Sequence, residues 1–280
     1  MSTEHVQATP EIGKSILAAG VMTNYHEAGH GSPVILIHGS GPGVSAWANW
    51  RAAIPVLAER LHVFAYDQLG FGYTQLPEQP NYNLSQWTEH LLSFMQAVGI
   101  RKAHLVGNSM GAAVALAAAV THPELVDRLV LMGAMGVRFQ LTEGLDTTWG
   151  YTPGIPNMRH LLDIFAYNRA LVNDQLAQLR YRASIRPGMQ EAFSSMFPTP
   201  RQQGVDELAR YEDQLSGIEA RTLIIHGRED RVIPLLTALS LLQRLPNAQL
   251  HVFGHCGHWT QIEHASTFNR LVRDFLAEGE

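Results

Sequence analysis

Six short apolar runs alternate with helix-like stretches along most of the chain, and this alternation constrains the fold more than any other feature. The apolar runs lie at residues 33–39, 61–67, 103–108, 128–133, 221–227 and 248–254. Amphipathic stretches lie at residues 85–99, 109–121 and 263–277, and a hairpin pattern lies ahead of them at 15–32. Runs that are hydrophobic almost throughout are typical of strands covered on both faces. The pattern therefore predicts an α/β fold whose sheet is mostly parallel and doubly wound, with an antiparallel hairpin at one edge.

The alternation stops between residues 136 and 215. This interval is helix-like and rich in aromatic residues and methionine. An insertion after a sheet strand is typical of a lid over an active site, although a separate helical subdomain with its own small core would give the same pattern. We predict one catalytic domain in three segments: a first core part at 1–135, a helical lid insertion at 136–215 and a second core part at 216–280.

Composition and charge narrow the class of protein and its location. The chain of 280 residues carries a formal charge of −5 and shows no basic patch, which argues against a nucleic-acid partner. No apolar run approaches the roughly 18 residues that a membrane span needs. The N-terminal residues lack the basic start and apolar segment of a signal peptide, and the one cysteine, Cys256, excludes an internal disulfide framework. These features predict a cytoplasmic protein with no membrane partner.

The most informative motif lies at residues 107–111, where a strand pattern ends and an alanine-rich helix pattern begins. Its sequence, GNSMG, fits G-x-S-x-G in the strand–turn–helix context that this motif requires. Glycines two residues on either side of the serine allow a sharp turn that lifts the hydroxyl above the sheet. The turn also places the hydroxyl at a helix N-terminus, whose partial positive charge favours a developing anion. Ser109 is therefore the predicted nucleophile.

An acid and a histidine follow the serine in the order that a triad on this fold requires. Asp230 lies just beyond one predicted strand, and His258 lies just beyond the next. We expect His258 to accept the proton of the Ser109 hydroxyl, and Asp230 to fix the histidine tautomer. Glu229 and His255 are alternatives for the acid and the base.

The sequence HCGH at residues 255–258 is also a candidate metal site. Two histidines and one cysteine packed into four loop residues form a poor tetrahedral cage when no other ligands are evident. We therefore predict that the protein binds no metal.

The segment after the first predicted parallel strand reads GSGPG, at residues 39–43. An acyl-type reaction at a carbonyl needs two N–H donors aimed at the developing oxyanion. One is expected from Met110, the residue after the nucleophile, and the other from Ser40. Gly39 and Gly41 let the backbone come close to the substrate.

Together these motifs resemble those of the α/β-hydrolases that cleave carbon–carbon bonds in aromatic meta-ring-fission products, in particular the 2-hydroxymuconic semialdehyde hydrolases. The resemblance rests on HGSGPGVSAWANWR at 38–51, GNSMG at 107–111, HGREDRVIP at 226–234 and GHCGHW at 254–259. It extends through the lid segment, including LLDIFAYNRALVNDQLAQLRYRASIRPG, and so covers nearly the whole chain. The G-x-S-x-G motif alone would also admit esterases, lipases and peroxidases. We call residues 39–43 the glycine loop. This loop together with Asn49, and the GHW sequence at residues 257–259, are more specific to the C–C hydrolases.

The resemblance implies an α/β-hydrolase fold and a substrate with a carboxylate, a 2-hydroxydiene and a 6-carbonyl. Members of this family shift the dienol to its keto form, attack the 6-carbonyl and break the C5–C6 bond. The products are 2-hydroxypenta-2,4-dienoate and a carboxylic acid. The ketonised diene is the electron sink, so that no cofactor is implied. A homodimer or a higher homo-oligomer is implied as well.

The resemblance also implies which side chains surround the substrate: Asn49, Asn108, Trp149, Arg186 and Trp259. Of these, Asn49, Asn108 and Arg186 are expected around the carboxylate and the 2-oxo group, while the two tryptophans line the pocket. Arg180 and Arg182 lie in the same segment as Arg186 and are alternatives to it.

Two other functions fit the same motifs. A general serine carboxylesterase would use the same triad, and a hydrolase-fold ligand receptor would bind a small molecule with little turnover.

The sequence departs from its relatives around the aspartate of AYDQLGFG, at residues 65–72, and at Ala112. Both positions lie beside the chemistry and concern substrate preference rather than reaction class.

Overall fold

The computed structural model describes residues 9–278, which form an eight-stranded sheet with helices on both faces. The strands are β1 Lys14–Ala18, β2 Val21–Ala28, β3 Ser32–Ile37, β4 Leu61–Tyr66, β5 Ala103–Asn108, β6 Val126–Met132, β7 Arg221–Gly227 and β8 Ala248–Phe253. Their order is β1-β2-β4-β3-β5-β6-β7-β8, in which β3 to β8 are parallel. The predicted mostly parallel, doubly wound sheet is confirmed.

Helices connect and cover the strands. They are α1 Ala46–Trp50, α2 Ile54–Leu57, α3 Leu84–Ala97, α4 Met110–Thr121, α5 Glu143–Trp149, α6 Ile155–Phe165, α7 Asp174–Ser184, α8 Met189–Met196, α9 Gln202–Leu208, α10 Leu235–Arg244, α11 Thr260–Glu263 and α12 Ala265–Leu276. Short 3-10 helices lie at Pro123–Leu125, Arg169–Leu171 and Glu212–Gly217. The predicted amphipathic stretches correspond to α3 and α12, whereas the stretch at 109–121 forms α4, a helix that is buried from Met110 to Ala119 and is not amphipathic. Within residues 9–278, no helix combines the length and the apolar character needed to cross a membrane.

The sheet separates two layers of hydrophobic core. Along β3, Ile35 and Ile37 point into one layer, whereas Val34 and Leu36 point into the other. Each such fully buried side chain contributes about 1.5–3 kcal/mol to folding. Because both faces are buried, the strands are apolar at every position instead of alternating. The alanine-rich α4 is buried through most of its length, which lets it approach the sheet closely.

The first two strands form the predicted antiparallel edge hairpin. They are joined at Ala19 and Gly20, which both have positive φ, 48° and 78°, as a two-residue hairpin turn requires. The second strand also pairs antiparallel with β4, so the hairpin extends the parallel sheet at its β4 side.

The chain between β6 and β7 forms helices α5 to α9. Buried side chains of this interval, such as Leu162, Phe193 and Val205, belong to the same hydrophobic cluster as those of α3 and α4. The interval therefore packs onto the core instead of around a small core of its own. We call residues 136–215 the lid.

Candidate active site

Ser109 lies at the tight turn between β5 and α4. Its φ of 55° and ψ of −117° form a strained conformation that the surrounding structure must hold in place. Its N–H donates to Met132 O at 2.9 Å. A Cβ at Gly107 would lie 2.5 Å from Gly111 O, and one at Gly111 would lie 2.4 Å from Ile37 O. Both glycines are therefore needed for the close approach that puts the serine hydroxyl at the N-terminus of α4.

His258 and Asp230 lie on the loops after β8 and β7 and are hydrogen bonded to each other. The imidazole Nδ1–H donates to Asp230 Oδ2 at 2.7 Å, and both side chains are almost fully buried. The other oxygen of Asp230 accepts the N–H groups of Val232 and Ile233 at 2.8 and 3.0 Å. Burial acts to raise the pKa of Asp230, but the charge and hydrogen bond of His258 outweigh it and the pKa is lowered. Asp230 is therefore ionised at neutral pH and leaves His258 Nε2 as the proton acceptor.

The alternatives for the acid and the base lie outside this arrangement. Glu229 binds a backbone N–H of the loop that carries His258, and its other oxygen pairs with a surface arginine. His255 lies at the surface and hydrogen bonds the Tyr167 hydroxyl at 3.1 Å. Neither lines the cavity that contains Ser109 and His258. In the described part of the chain, no group of three or more His, Cys, Asp or Glu side chains is arranged to hold a metal ion.

The glycine loop after β3 lies directly against the nucleophile. A Cβ at Gly39 would come within 3.0 Å of Ser109 Cβ, which explains the glycine at this position. His38 braces the loop, because its Nδ1–H donates to Gly39 O at 2.8 Å and its Nε2 accepts the N–H of Gln68 at 3.0 Å. Burial lowers the pKa of His38 to about 4, so that the imidazole is neutral in this role.

Two backbone N–H groups are candidates for an oxyanion hole. Met110 is the first residue of α4, and the first N–H groups of a helix have no partner within the helix. Ser40 lines the cavity beside Ser109. The Oγ of Ser40 accepts the indole N–H of Trp149 at 3.0 Å, which ties the glycine loop to the lid.

A cavity with an empty volume of about 550 Å³ lies between the core loops and the lid. Its polar lining consists of Ser40, Asn49, Asn108, Ser109, Arg180 and His258. Its remaining walls consist of Gly39, Gly41, Pro42, Val44, Leu145, Met158, Leu162, Phe165, Val232 and Trp259. The structure thus brings five of the predicted substrate-contacting residues to one cavity, namely Gly39, Gly41, Asn49, Asn108 and Trp259.

Asn49 and Asn108 form a chain of hydrogen bonds along the wall of the cavity. The Nδ2 of Asn49 donates to Asn108 Oδ1 at 3.2 Å, and the Nδ2 of Asn108 donates to Met132 O at 3.3 Å. The Oδ1 of Asn49 is buried and has no hydrogen-bond partner within the described protein. A buried acceptor without a partner costs free energy, so this oxygen is suited to accept a hydrogen bond from a ligand hydroxyl.

The structure does not bring Arg186 to the cavity, contrary to our prediction. Its guanidinium stacks over the ring of Tyr73 at 3.7 Å and donates to Gly72 O at 2.8 Å. Arg182 is exposed to solvent. Of the three arginines in this segment, it is Arg180 that lines the cavity.

Arg180 is held in the cavity by the packing of α7. The buried face of this helix consists of Ala177, Arg180 and Ser184, and the Nη1 of Arg180 donates to Gly43 O at 3.0 Å. Burial lowers the pKa of Arg180 to about 10, so the side chain is still positively charged at neutral pH. The negative charge of Glu11 acts against the effect of burial on this pKa. In the sequence, the signal for the buried face of α7 was a pair of small residues, Ala177 three positions before Arg180 and Ser184 four positions after it.

Trp149 also departs from the prediction, because it lies behind Ser40 and is not part of the cavity wall. Its indole stacks on Phe197 at 4.0 Å with an angle of 3° between the rings. Only its N–H reaches towards the site, through the hydrogen bond to Ser40 Oγ. Trp259 does line the cavity, as predicted.

The apolar wall from the lid was missed by the sequence analysis. Met158, Leu162 and Phe165 lie on α6 at intervals of four and three residues, and Leu145 joins them from α5. Such spacing places the three side chains of α6 on one face of the helix. The spacing was visible in the sequence, but it does not reveal which neighbour that face covers.

Comparison with known proteins agrees with this architecture. The family model described as the alpha/beta hydrolase fold matches residues 32–265. A 2-hydroxymuconate semialdehyde hydrolase from Pseudomonas sp. (strain CF600) is 57% identical over 274 residues, which cover 98% of this chain and 97% of the relative. A 2-hydroxy-6-oxo-2,4-heptadienoate hydrolase from Pseudomonas putida is 56% identical over 267 residues, which cover 95% of this chain and 97% of the relative.

A solved structure is similar over the same extent. The meta-cleavage product hydrolase from Pseudomonas fluorescens IP01 has a TM-score of 0.96 and 59% sequence identity, covering 97% of this chain and 100% of its own. The fold and the family expected from the sequence motifs are confirmed. The chain belongs to the α/β-hydrolase family and, within it, to the meta-cleavage product hydrolases.

Proposed function

We propose that this protein hydrolyses the C5–C6 bond of 2-hydroxy-6-oxohexa-2,4-dienoate or a 6-alkyl analogue, a ring-fission product of aromatic degradation. The products are 2-hydroxypenta-2,4-dienoate and a carboxylic acid. The observation that carries the proposal is one cavity lined by Ser109, by His258 with Asp230 hydrogen bonded behind it, and by a buried arginine, Arg180. Ser109, His258 and Asp230 are suited to act on a carbonyl, and Arg180 is suited to bind a carboxylate. The proposed substrate carries both a carbonyl and a carboxylate.

The proposed reaction begins with a change of tautomer. The 2-hydroxyl proton moves to C5, which gives a 2,6-dioxohex-3-enoate. His258 then takes a proton from the nucleophile, either Ser109 Oγ or a water molecule beside it, as the nucleophile adds to C6. The N–H groups of Ser40 and Met110 stabilise the oxyanion that forms on the 6-oxygen.

Breaking the C5–C6 bond needs a place for its electron pair. The pair moves through the C3–C4 double bond to the 2-carbonyl oxygen, which takes up a proton and becomes the 2-hydroxyl of the dienoate, while His258 gives up the proton that it took from the nucleophile. If Ser109 is the nucleophile, water activated by His258 then hydrolyses the acyl ester to the carboxylic acid. The substrate itself is the electron sink, and the proposed reaction is balanced without a cofactor.

Arg180, Asn49 and Asn108 are the proposed ligands of the carboxylate and the 2-oxygen. A guanidinium matches a carboxylate with two parallel hydrogen bonds. A buried guanidinium with one carbonyl acceptor keeps further N–H donors for a carboxylate, whose negative charge offsets part of the cost of burying the cation. The unpaired Oδ1 of Asn49 suits the 2-hydroxyl of the dienol as an acceptor. Arg180 thus takes the role that we had predicted for Arg186.

The apolar side chains of the cavity are the proposed neighbours of the 6-substituent. Leu145, Met158, Leu162 and Val232 offer no hydrogen-bonding groups, which favours an apolar substituent at C6. The names of the two relatives above specify a semialdehyde and a heptadienoate, which differ by one methyl group at this carbon.

The decisive experiment compares 6-hydrogen, 6-methyl, 6-isopropyl and 6-phenyl dienols with 4-nitrophenyl acetate. We expect repeated turnover of the dienols, with the highest kcat/KM for the 6-hydrogen or 6-methyl compound and a much lower value for the ester. An ester that is turned over as efficiently as the dienols would indicate a general carboxylesterase. Dienol binding without repeated turnover would indicate a receptor.

Two further properties are part of the proposal on the strength of the sequence and the family. They are a cytoplasmic location and an assembly of identical subunits, either a homodimer or a higher homo-oligomer. Size-exclusion chromatography with light scattering measures the assembly directly, and a monomer at micromolar concentration would contradict it.

A further inference from the structure

Three consecutive backbone N–H groups fix the loop that carries His258. We call residues 255–258 the histidine loop. Each of the three N–H groups donates to an acceptor outside the loop: Cys256 to Glu229 Oε2 at 3.0 Å, Gly257 to Glu263 Oε1 at 2.8 Å and His258 to Phe165 O at 2.8 Å. Because the hydrogen bonds follow one another along the backbone, they determine the direction in which the imidazole leaves the chain.

Glu263 differs from the other carboxylate, because it also reaches the lid. Its second oxygen, Oε2, accepts the N–H of Asn168 at 2.8 Å. Asn168 follows the end of α6 at Phe165, whose carbonyl is itself an acceptor for the histidine loop. The two segments touch, since a Cβ at Gly257 would lie 2.5 Å from Phe165 O and 3.1 Å from Glu263 Oε1. The carboxylate therefore receives one N–H from each side of this contact.

We propose that Glu263 is a positioning residue for His258, an inference that rests on His258 being the general base of the proposed function. The carboxylate joins the histidine loop to the end of α6 and so sets the imidazole relative to Phe165, whose ring lies 5.9 Å from it. Hydrogen bonds to a carboxylate are about twice as strong as those between neutral groups. A displacement of about 1 Å at a reacting group costs about 100-fold in rate, so a small shift of this loop would be measurable.

Glu263→Gln is the direct test, because it preserves the size of the side chain. A carboxylate offers acceptors to both N–H groups, whereas an amide offers one oxygen and turns its NH2 group towards the other donor. The substitution therefore removes the connection that the carboxylate makes between the histidine loop and the lid, without opening a cavity, while the hydrogen bond from His258 N–H to Phe165 O remains.

Glu212 provides a matched control. It is a buried carboxylate that also joins the lid to the core: Oε2 accepts the N–H of Arg138 at 3.0 Å, and Oε1 accepts Nη2 of Arg244, in α10, at 2.7 Å. It lies outside both the cavity and the histidine loop. Glu212 also pairs with Arg138 Nη1 at 3.1 Å, so Glu212→Gln weakens two ion pairs and reports what a loss of stability alone does to the reaction.

The reactivity of Ser109 is measured with diethyl 4-nitrophenyl phosphate, a small neutral probe that does not need Arg180. Ser109 Oγ displaces 4-nitrophenolate at phosphorus while His258 takes the hydroxyl proton, and the released nitrophenolate is read by its absorbance. We expect Glu263→Gln to slow this reaction by about 10–100-fold and to lower kcat for the dienol similarly, with KM changed by less than about threefold. Glu212→Gln should react within about twofold of the wild type even where its Tm falls equally.

A second pair of variants tests the lid side alone and stands even if Glu263→Gln fails to fold. Asn168 has a φ of −77°, which proline accepts. Asn168→Pro removes the N–H that Glu263 accepts, whereas Asn168→Ala keeps it and removes only the side-chain cap on Ala170 N. We expect Asn168→Pro to react about 3–10-fold more slowly than Asn168→Ala, the effect of one lost hydrogen bond.

Wild-type reactivity in folded Glu263→Gln, or equal rates in the two Asn168 variants, would overturn the inference. His258→Ala separates this failure from a failure of the proposed function. If His258→Ala is unreactive while Glu263→Gln reacts like the wild type, the base assignment stands and only the positioning role is lost. If His258→Ala reacts like the wild type, the assignment of the base fails and the positioning role fails with it.

Discussion

The core and the lid both contribute polar groups to one cavity, but they hold these groups in different ways. Ser109, Asp230 and His258 lie on loops after β5, β7 and β8, where backbone hydrogen bonds and close glycine contacts fix the chain. Arg180 lies within α7 and is placed by the packing of one helix face. In the core, the position of a functional group follows from the backbone, whereas in the lid it follows from side-chain packing.

The catalytic groups all lie in the core, whereas the lid adds Arg180 and an apolar wall to the core residues that contact the substrate. Catalytic groups must be held to within about 0.5 Å by packing and supporting hydrogen bonds, which the loops of the core receive through their backbone. Packed apolar faces tolerate substitution when volume is preserved. Changes at Ser109, Asp230 or His258 should therefore affect every substrate, whereas changes at lid residues that line the cavity should depend on which substrate is offered.

The largest effect should come from the nucleophile and the base. We expect Ser109→Ala or His258→Ala to lower kcat by about 10⁴–10⁶-fold, because members of a triad act as a unit. The loss should be similar for the dienol and for 4-nitrophenyl acetate, as measured by steady-state kinetics. Retention of more than about a tenth of the wild-type kcat by Ser109→Ala would contradict its role as nucleophile.

The next largest effect should come from the acid. Asp230→Asn should lower kcat by about 10²–10⁴-fold on both substrates, because the amide no longer fixes the Nδ1–H tautomer of His258. Glu229→Gln is the control, since Glu229 neighbours Asp230 but pairs with the backbone and a surface arginine. A loss as large in Glu229→Gln as in Asp230→Asn would reopen the choice of acid.

A change at Arg180 should separate the two substrates. Arg180→Gln should lose about 2–4 kcal/mol in kcat/KM for the dienoate, because the bound carboxylate is left without its cation. Hydrolysis of 4-nitrophenyl acetate, which has no carboxylate, should change little. Arg186→Gln is the matched control and should leave both reactions nearly unchanged. Equal losses on both substrates in Arg180→Gln would mean that this arginine supports the lid and does not bind the anion.

The smallest effect should come from Trp149, where the lid touches the core. Trp149→Phe keeps an aromatic ring to stack on Phe197 but removes the N–H that Ser40 Oγ accepts. One lost hydrogen bond of about 1 kcal/mol predicts a decrease of about fivefold in kcat. The ratio of kcat/KM values for 6-phenyl and 6-methyl substrates should stay constant, because this residue does not line the cavity. A changed ratio would show that the indole contacts the 6-substituent.

The sequence predicted the core better than the lid for physical reasons. Parallel strands are buried on both faces, so they stand out as apolar runs, and the catalytic groups follow their carboxyl ends in a fixed chain order. Ser109, Asp230 and His258 were therefore identified together, although no two of them are near each other in sequence.

The lid offers no such framework. Three arginines within seven residues differ only in which way they face, and the interruption at Pro187 suggested the wrong one. Gly188, with a φ of 77°, is the residue before α8, while Arg186 stacks on Tyr73 outside the cavity. In the same way, the composition of the lid does not say whether an aromatic ring such as Trp149 packs on a neighbour or on the substrate.

Because the site is divided between two parts of the chain, the distance between its two ends selects the length of the substrate. Four carbon atoms separate the carboxylate of the proposed substrate from the carbonyl that is attacked, and its two ends must reach Arg180 on the lid and Ser109 on the core together. A keto acid with a shorter chain would satisfy the arginine and leave its carbonyl out of reach of the serine. A group added beyond C6 leaves this length unchanged. We therefore expect the protein to be strict about the spacing between carboxylate and carbonyl, and the apolar wall to determine which groups fit on the far side of the carbonyl.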